Sequence, residues 1–208
     1  MKLIFYLSLL FLFALNTSAQ INSVNGFQLP PYDTIRVFLV FAERTNTADY
    51  SDYKAGWLPG QMPDRADEFF DPVFTNYSNL EGYFTKYFYQ MSFGDFIMIG
   101  DYYPSLVQID ESLGFQNSTV ISYLNSLPGT DITTANGYSI NSDSFDYWTS
   151  TSSGYPKTSA ADNKIDMVII CWRNAWGDGN GSVSISNSSF TLKSKSGSNA
   201  IGKFGCYS

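Results

Sequence analysis

The sequence predicts an α/β fold, with a mixed twisted sheet flanked by helices. Three observations lead there. Residues 35–41 and 165–172 are near-continuous apolar runs rich in β-branched and aromatic residues. Such runs are the pattern of strands covered on both faces. Between them, Leu80, Phe84, Tyr87, Phe88 and Met91 recur at spacings of three and four, one apolar helical stripe. The elements then follow as strand, helix, strand, helix, strand, strand, an order that builds α/β layers.

The first segment, residues 1–19, reads as an export signal. Lys2 supplies a positive start, and a nearly unbroken apolar run extends from Leu3 to Leu15. Thr17, Ser18 and Ala19 then offer small residues for cleavage before Gln20. The run is shorter than the roughly 20 apolar residues a membrane span needs. Removing residues 1–19 from 208 leaves 189, enough for one domain with a sizeable core. Residues 20–34 form a Pro-containing lead-in, and residues 35–208 are expected to carry the fold.

After the first strand, residues 44–64 read as a loop rich in Asp, Tyr, Gly and Pro. Ser78-Asn79-Leu80-Glu81 has the form of a capping box and predicts the start of the first helix. Gly94 is placed to end it in a left-handed conformation. Residues 96–99 form a short strand, with residues 106–109 as its hairpin partner. A second helix is expected over 119–127, stopped by Pro128-Gly129. A long polar stretch, 129–163, precedes the second buried strand. Beyond it, Val183 and Ile185 alternate with Ser182, Ser184 and Ser186, the signature of a half-exposed strand. Phe190 and Leu192 fall on the opposite parity, so the chain is expected to turn near Asn187.

Composition excludes several functions. Loss of Lys2 leaves 11 basic residues against 19 acidic ones, a net charge of −8. No basic stripe is present, so nucleic acid and anionic membrane surfaces are not expected partners. The chain has no histidine. Ser-His-Asp and Cys-His catalysis are therefore absent, as is a zinc site built on histidine ligands. No Gly-rich phosphate loop occurs. Ser51 and Lys54 match a Ser-x-x-Lys spacing within a polar loop, which reads as coincidence. Asp64, Asp67, Glu68 and Asp71 cluster as carboxylate chemistry would require, but acidic residues so spaced are the ordinary pattern of a solvated helix face. Asp178 and Asn180, followed by Gly181, hold part of a calcium-loop pattern, but the further ligands and the distant Glu are missing and a plain Gly-rich turn between two strands is the favoured reading. Cys171 and Cys206 could pair in an oxidising compartment, or Cys171 could stay a buried thiol. Asn76, Asn117 and Asn187 begin glycosylation sequons, relevant only in a eukaryotic secretory pathway.

Three segments, in order, carry a resemblance. They are Val37-Phe38-Leu39-Val40-Phe41; the stretch holding Tyr83-Phe84, Ser92-Phe93-Gly94-Asp95-Phe96 and Ile99-Gly100-Asp101; and Phe145-Asp146-Tyr147 followed by residues 164–170. Together they resemble the N-terminal subdomain of the immune inhibitor A-like secreted metallopeptidases, a branch of the zincins. The resemblance covers most of residues 35–176. It implies a zincin-like sheet, a peptide or protein substrate, and a zinc ion held by a His-Glu-x-x-His helix following the sheet. This chain reaches Ser208 without that helix, so no catalytic residue and no zinc ligand is assigned to it. Zinc belongs to the full-length parent, and calcium remains possible through Asp178 and Asn180. The Asp-rich loop of the family is diluted after Asp146. Val183, Ser184, Ile185 and Ser186 become the candidate substrate-lining edge strand, whose free backbone groups an extended peptide would pair with. The expectation is a secreted, inactive N-terminal scaffold of a zinc endopeptidase, with no membrane attachment after signal cleavage. The alternative is a complete exported binding module that stacks carbohydrate on exposed, coplanar aromatic rings.

Overall fold

The computed structural model describes residues 32–113, 117–127, 132–140, 145–149, 157–158, 165–174, 190–191, 199–200 and 203–207. The centre of the fold is β1 (Asp33–Thr45), a 13-residue strand whose residues 36–43 are all buried. It is parallel to β2 (Phe96–Tyr102) and β3 (Val107–Asp110) on one side, and to β6 (Met167–Trp172) on the other. Strand β9 (Lys203–Tyr207) pairs parallel to β6, giving the order β2-β1-β6-β9. Two short antiparallel ladders lie apart from this sheet: β4 (Trp148–Thr149) with β5 (Lys157–Thr158), and β7 (Phe190–Thr191) with β8 (Asn199–Ala200). The chain is α/β, as predicted. The sheet differs from the mixed one expected, because every pairing within it among the described residues is parallel.

The apolar runs of β1 and β6 follow from this position. A central parallel strand has a core on each face. Phe38, Val40 and Ala42 point to one cluster with Val168, Ile170 and Trp172. Ile35, Val37, Leu39 and Phe41 point to the other with Met167, Ile169 and Cys171. Each buried Phe or Leu stabilises the fold by about 1.5–3 kcal/mol relative to an exposed one. Helix α1 (Tyr83–Met91) sends Phe84 and Phe88 to the second cluster. Helix α2 (Asn117–Ser126) sends Val120, Ile121 and Leu124 to the first. The helices therefore lie on opposite faces.

Residues 106–109 do not form a hairpin with residues 96–99. Leu39 is opposite Tyr102 and Ala42 is opposite Val107, so three steps along β1 match five along its neighbour. β2 and β3 are thus one interrupted strand, with a two-residue excess between them. Pro104 lies in the interruption, where its missing N–H breaks no ladder bond. The length of β1 decides the outcome, since it supplies partners to both pieces in succession.

The capping box at Ser78 does not form either. Residues Tyr77–Asn79 make a 3-10 turn, and Leu80 leaves it in an extended conformation. Helix α1 starts at Tyr83 instead, capped from a distance. The Asp71 carboxylate accepts from Glu81 N (3.1 Å) and Gly82 N (3.0 Å), and Phe69 O accepts from Phe84 N (2.9 Å). A carboxylate at a helix N-terminus satisfies orphan N–H groups and complements the dipole. Gly82 is required there, because a Cβ would sit 2.5 Å from Phe70 C and closer still to Asp71 N. The far end behaves as expected. Gly94 N donates to Tyr89 O (2.8 Å) and Phe93 N to Gln90 O (3.2 Å), with Phe93 at φ 56° and Gly94 at φ 89°. This is the paired bonding of a Schellman end.

The outer edge of β2 is covered rather than open. Gly100 N donates to Asp71 O (3.0 Å), and Tyr102 O accepts from Ala135 N (2.9 Å). Asp101, buried on the α2 side, accepts from the Thr134 hydroxyl (2.5 Å), Asn136 N (3.1 Å) and Asn136 Nδ2 (2.9 Å), fastening residues 134–136 to the sheet. Covered edges cannot template pairing with another chain.

Candidate functional site

The topology singles out one place. From β1 the chain moves to β2 by way of α1 on one face. From β3 it returns across β1 to β6 by way of α2 on the other face. The direction of winding reverses between β1 and β6. In open parallel sheets, ligands bind at such a switch point, outside the carboxyl ends of the strands. Here those ends carry Glu43 and Arg44 on β1, and Trp172, Arg173 and Asn174 at the end of β6.

Glu43 and Arg173 are fully buried, 3.7 Å apart. Glu43 also accepts from Gly60 N through both carboxylate oxygens (3.0 and 3.2 Å) and from Gln108 Nε2 (2.7 Å). Arg173 donates to three carbonyls of the loop that follows β1: Tyr50 O (2.9 Å), Asp52 O (2.6 Å) and Trp57 O (3.0 Å). On the opposite face, Asn174 and Arg44 exchange bonds. Asn174 Oδ1 accepts from Arg44 N (2.7 Å), Asn174 Nδ2 donates to Arg44 O (2.8 Å), and the Arg44 guanidinium donates to Asn174 O (2.7 and 3.1 Å). Arg44 also pairs with Glu111 (3.2 Å) and Asp49 (3.7 Å).

This network does not leave an acid or base directed at open space. Glu43 is surrounded by donors, and Arg173 holds residues 50–57 over the sheet end. The groups at the switch point bind the protein's own loop, in the place where α/β enzymes bind substrate.

Beneath that loop, on the α1 face, is a cavity of about 610 Å³. Its wall is mostly apolar: Trp57, Phe69, Phe84, Cys171 and Trp172 line it, with Lys54 and Arg65 contributing charge. Trp57 is held by its indole N–H to Gln61 O (2.8 Å) and by an edge contact with Phe41 at 5.4 Å between centroids. Arg65 bonds both Glu68 and the Tyr83 hydroxyl. That contact draws the Glu68 carboxyl below its ordinary range, and hydrogen bonding to Glu68 pushes the Tyr83 phenol up.

The residues singled out from sequence are dispersed. Asp64, Asp67, Glu68 and Asp71 do not converge: Asp71 caps α1, and Glu68 pairs with Arg65. Ser51 and Lys54 lie in a loop. Val183, Ser184, Ile185, Ser186, Asp178, Asn180 and Asn187 fall outside the described residues. Among the described residues no group of three or more carboxylate or cysteine side chains is placed to hold a metal ion. With no histidine in the chain, these residues do not fit a zinc site, and no zinc-dependent step is assigned to them. Cys171 is buried. Strand β9 brings Cys206 opposite it in Cα register.

The helical stripe is split rather than uniformly buried. Tyr83, Tyr87 and Met91 are 55%, 54% and 63% exposed, while Phe84 and Phe88 pack inward. The exposed rings are engaged with neighbours. Tyr77 stacks on Tyr89 at 5.2 Å, Tyr83 is tied to Arg65, and Tyr87 meets Phe88 edge-on at 83°.

Sequence reasoning missed Glu43 and Arg173. The available signal was a charge of opposite sign placed immediately after each buried run, in Phe41-Ala42-Glu43 and Cys171-Trp172-Arg173. No family model matches the chain, and neither a curated protein nor a solved structure matches it.

Proposed function

We propose that this chain is the N-terminal scaffold part of a secreted zinc-dependent endopeptidase and contributes no catalytic or zinc-binding residue itself. The observation that carries this reading is the apolar cavity beside α1, on the same sheet face, lined among others by Phe69, Phe84 and Cys171 of β6. A helix following the sheet would bury its apolar stripe against such a surface, as helices on sheet faces do. The resemblance calls for a His-Glu-x-x-His helix after the sheet, and an apolar surface on a sheet face is what such a helix would need. The consumed charges at the switch point support the same reading. Glu43 and Arg173 brace a loop, a structural role in keeping with a scaffold.

The carbohydrate-binding alternative needs exposed rings sharing a plane. Tyr77, Tyr83 and Tyr87 are exposed but engaged separately, so the scaffold reading is preferred.

The test compares two proteins: residues 20–208 alone, and the product of the whole reading frame to which they belong. Both are assayed on casein with and without 1,10-phenanthroline. The scaffold reading expects cleavage by the second alone, abolished by the chelator and restored by zinc. A reading frame that encodes no His-Glu-x-x-His after Ser208, with a product that leaves casein intact, would refute it.

A further inference from the structure

We propose that Asn136-Gly137 is a modification site, where hydrolysis of the Asn136 side-chain amide to a carboxylate unfastens residues 134–136 from the edge of β2. Both residues are exposed, in the turn of a small hairpin over residues 132–140. Thr133 pairs antiparallel with Ser139 there. Gly137 N donates to Thr134 O (2.9 Å), and Thr134 N to Tyr138 O (2.9 Å). Gly137 turns at φ 84°, and a Cβ on it would meet nothing within 4 Å. With no side chain and open space around it, the Gly137 nitrogen can reach the neighbouring amide whenever the turn opens. What Asn136 holds gives the reaction its consequence. Asn136 Nδ2 donates to Asp101 Oδ1 (2.9 Å), while Asn136 N (3.1 Å) and the Thr134 hydroxyl (2.5 Å) donate to Asp101 Oδ2. Asp101 is 3% exposed. This clasp sets Ala135 N against Tyr102 O (2.9 Å), which covers the β2 edge.

The reaction needs only water. Gly137 N forms a bond to Asn136 Cγ, the Cγ–Nδ2 bond breaks, and ammonia leaves with the proton given up by Gly137 N. Water then opens the cyclic imide, its hydroxyl adding to one carbonyl carbon and its remaining proton returning to the nitrogen. Opening at Cγ gives an aspartate; opening at the main-chain carbonyl gives an isoaspartate, with one more carbon in the backbone. In sum, an amide and water become a carboxylic acid and ammonia. Either product replaces a donor by an acceptor beside Asp101, which accepts at both oxygens as a carboxylate does. Two carboxylates at that spacing repel, and the Asp101 oxygen left without its donor is buried. The Arg36 guanidinium, held below its ordinary range chiefly by burial, interacts with Asp101 and balances that one charge. The fold also protects the site, because Gly137 N and Asn136 Nδ2 are both engaged in hydrogen bonds.

The experiment takes the product of the whole reading frame, incubated in mildly alkaline buffer with and without guanidinium chloride. Fragmentation mass spectrometry reads the amide-to-acid change at each asparagine. Three Asn-Gly pairs, at Asn25, Asn136 and Asn180, serve as clocks of one chemistry. In denaturant the three should convert at similar rates. In the folded protein Asn136 should convert about ten- to a hundredfold more slowly than in denaturant. Equal rates at Asn136 in the two conditions would overturn the clasp. The consequence is read separately. Asn136→Asp, which makes the first product directly, should lower Tm by about 4–10 °C. The exchanged pair Asp101→Asn/Asn136→Asp should recover most of that loss, since the amide now at 101 donates to the carboxylate at 136. Asn136→Asp melting with the wild type would overturn the proposal. So would an exchanged pair no more stable than Asn136→Asp, whether or not the single variant folds.

Discussion

Arg173 and Glu43 are a buried ion pair 3.7 Å apart that joins the ends of two central strands to the loop between them and α1. Each charge has hydrogen bonds besides its partner, which is the condition under which a buried pair is tolerated. Glu43→Gln leaves Arg173 as an uncompensated buried charge. Denaturant unfolding should show a loss of about 3–5 kcal/mol, with the double variant Glu43→Gln/Arg173→Met less destabilised than the sum of the single changes. Additive losses would show that the two residues act separately.

Asp71 and Gly82 form the remote cap of α1. Asp71→Ala removes the acceptor for Glu81 N and Gly82 N and should cost about 0.5–2 kcal/mol. Gly82→Ala drives a methyl group into the backbone of Phe70 and Asp71, and should cost at least as much as overpacking elsewhere, about 1–3 kcal/mol. Ser78→Ala, at the unused capping box, should leave stability unchanged within about 0.5 kcal/mol. A larger loss at Ser78 than at Asp71 would mean the helix starts where the sequence pattern puts it.

Phe93 ends α1 at φ 56° with 96% of its surface exposed. A side chain in the left-handed region costs roughly 1–2 kcal/mol, and little burial offsets it here. Phe93→Gly should therefore raise stability, by about 1 kcal/mol, read as a higher denaturant midpoint at constant slope. A fall would show that the ring makes contacts the exposure does not reveal.

The Asp110 carboxyl is held below its ordinary range, first by the Ser112 hydroxyl, then by Ser112 N–H and by Asn46. A carboxylate with a lowered folded-state pKa contributes stability present above its unfolded pKa and lost as pH falls through the folded one. The group lies near the surface, where solvent screens it, so the effect is confined to mild acid destabilisation. Carboxyl carbon NMR should place its midpoint below that of an unhindered aspartate, and Ser112→Ala should move it upward. An unchanged midpoint in that variant would remove Ser112 as the cause.

Tyr102 and Tyr103 have phenols pushed above the ordinary range, chiefly by burial. A raised folded-state pKa gives stability fully present below the unfolded value and lost as pH rises through the folded one. Absorbance titration at alkaline pH should show two fewer phenols ionising late in Tyr102→Phe/Tyr103→Phe than in the wild type. An identical late phase in both proteins would count against the assignment.

Much of the sheet was readable because burial on two faces leaves a one-dimensional trace. Residues 35–41 and 165–172 are apolar at consecutive positions, and only a central strand in an α/β layer needs that. Helix α2 and the Gly94 end of α1 were readable for the same local reason: spacing and left-handed geometry are properties of neighbouring residues. The start of α1, the parallel placement of β3 and the Glu43–Arg173 pair were settled by tertiary structure alone. Asp71 is ten residues from Glu81, Ala42 is 65 from Val107, and Glu43 is 130 from Arg173. Over such separations a hydrogen bond or ion pair leaves no periodicity in the sequence. It forms because the two packed faces bring the groups together, and burial then makes leaving them unpaired too costly.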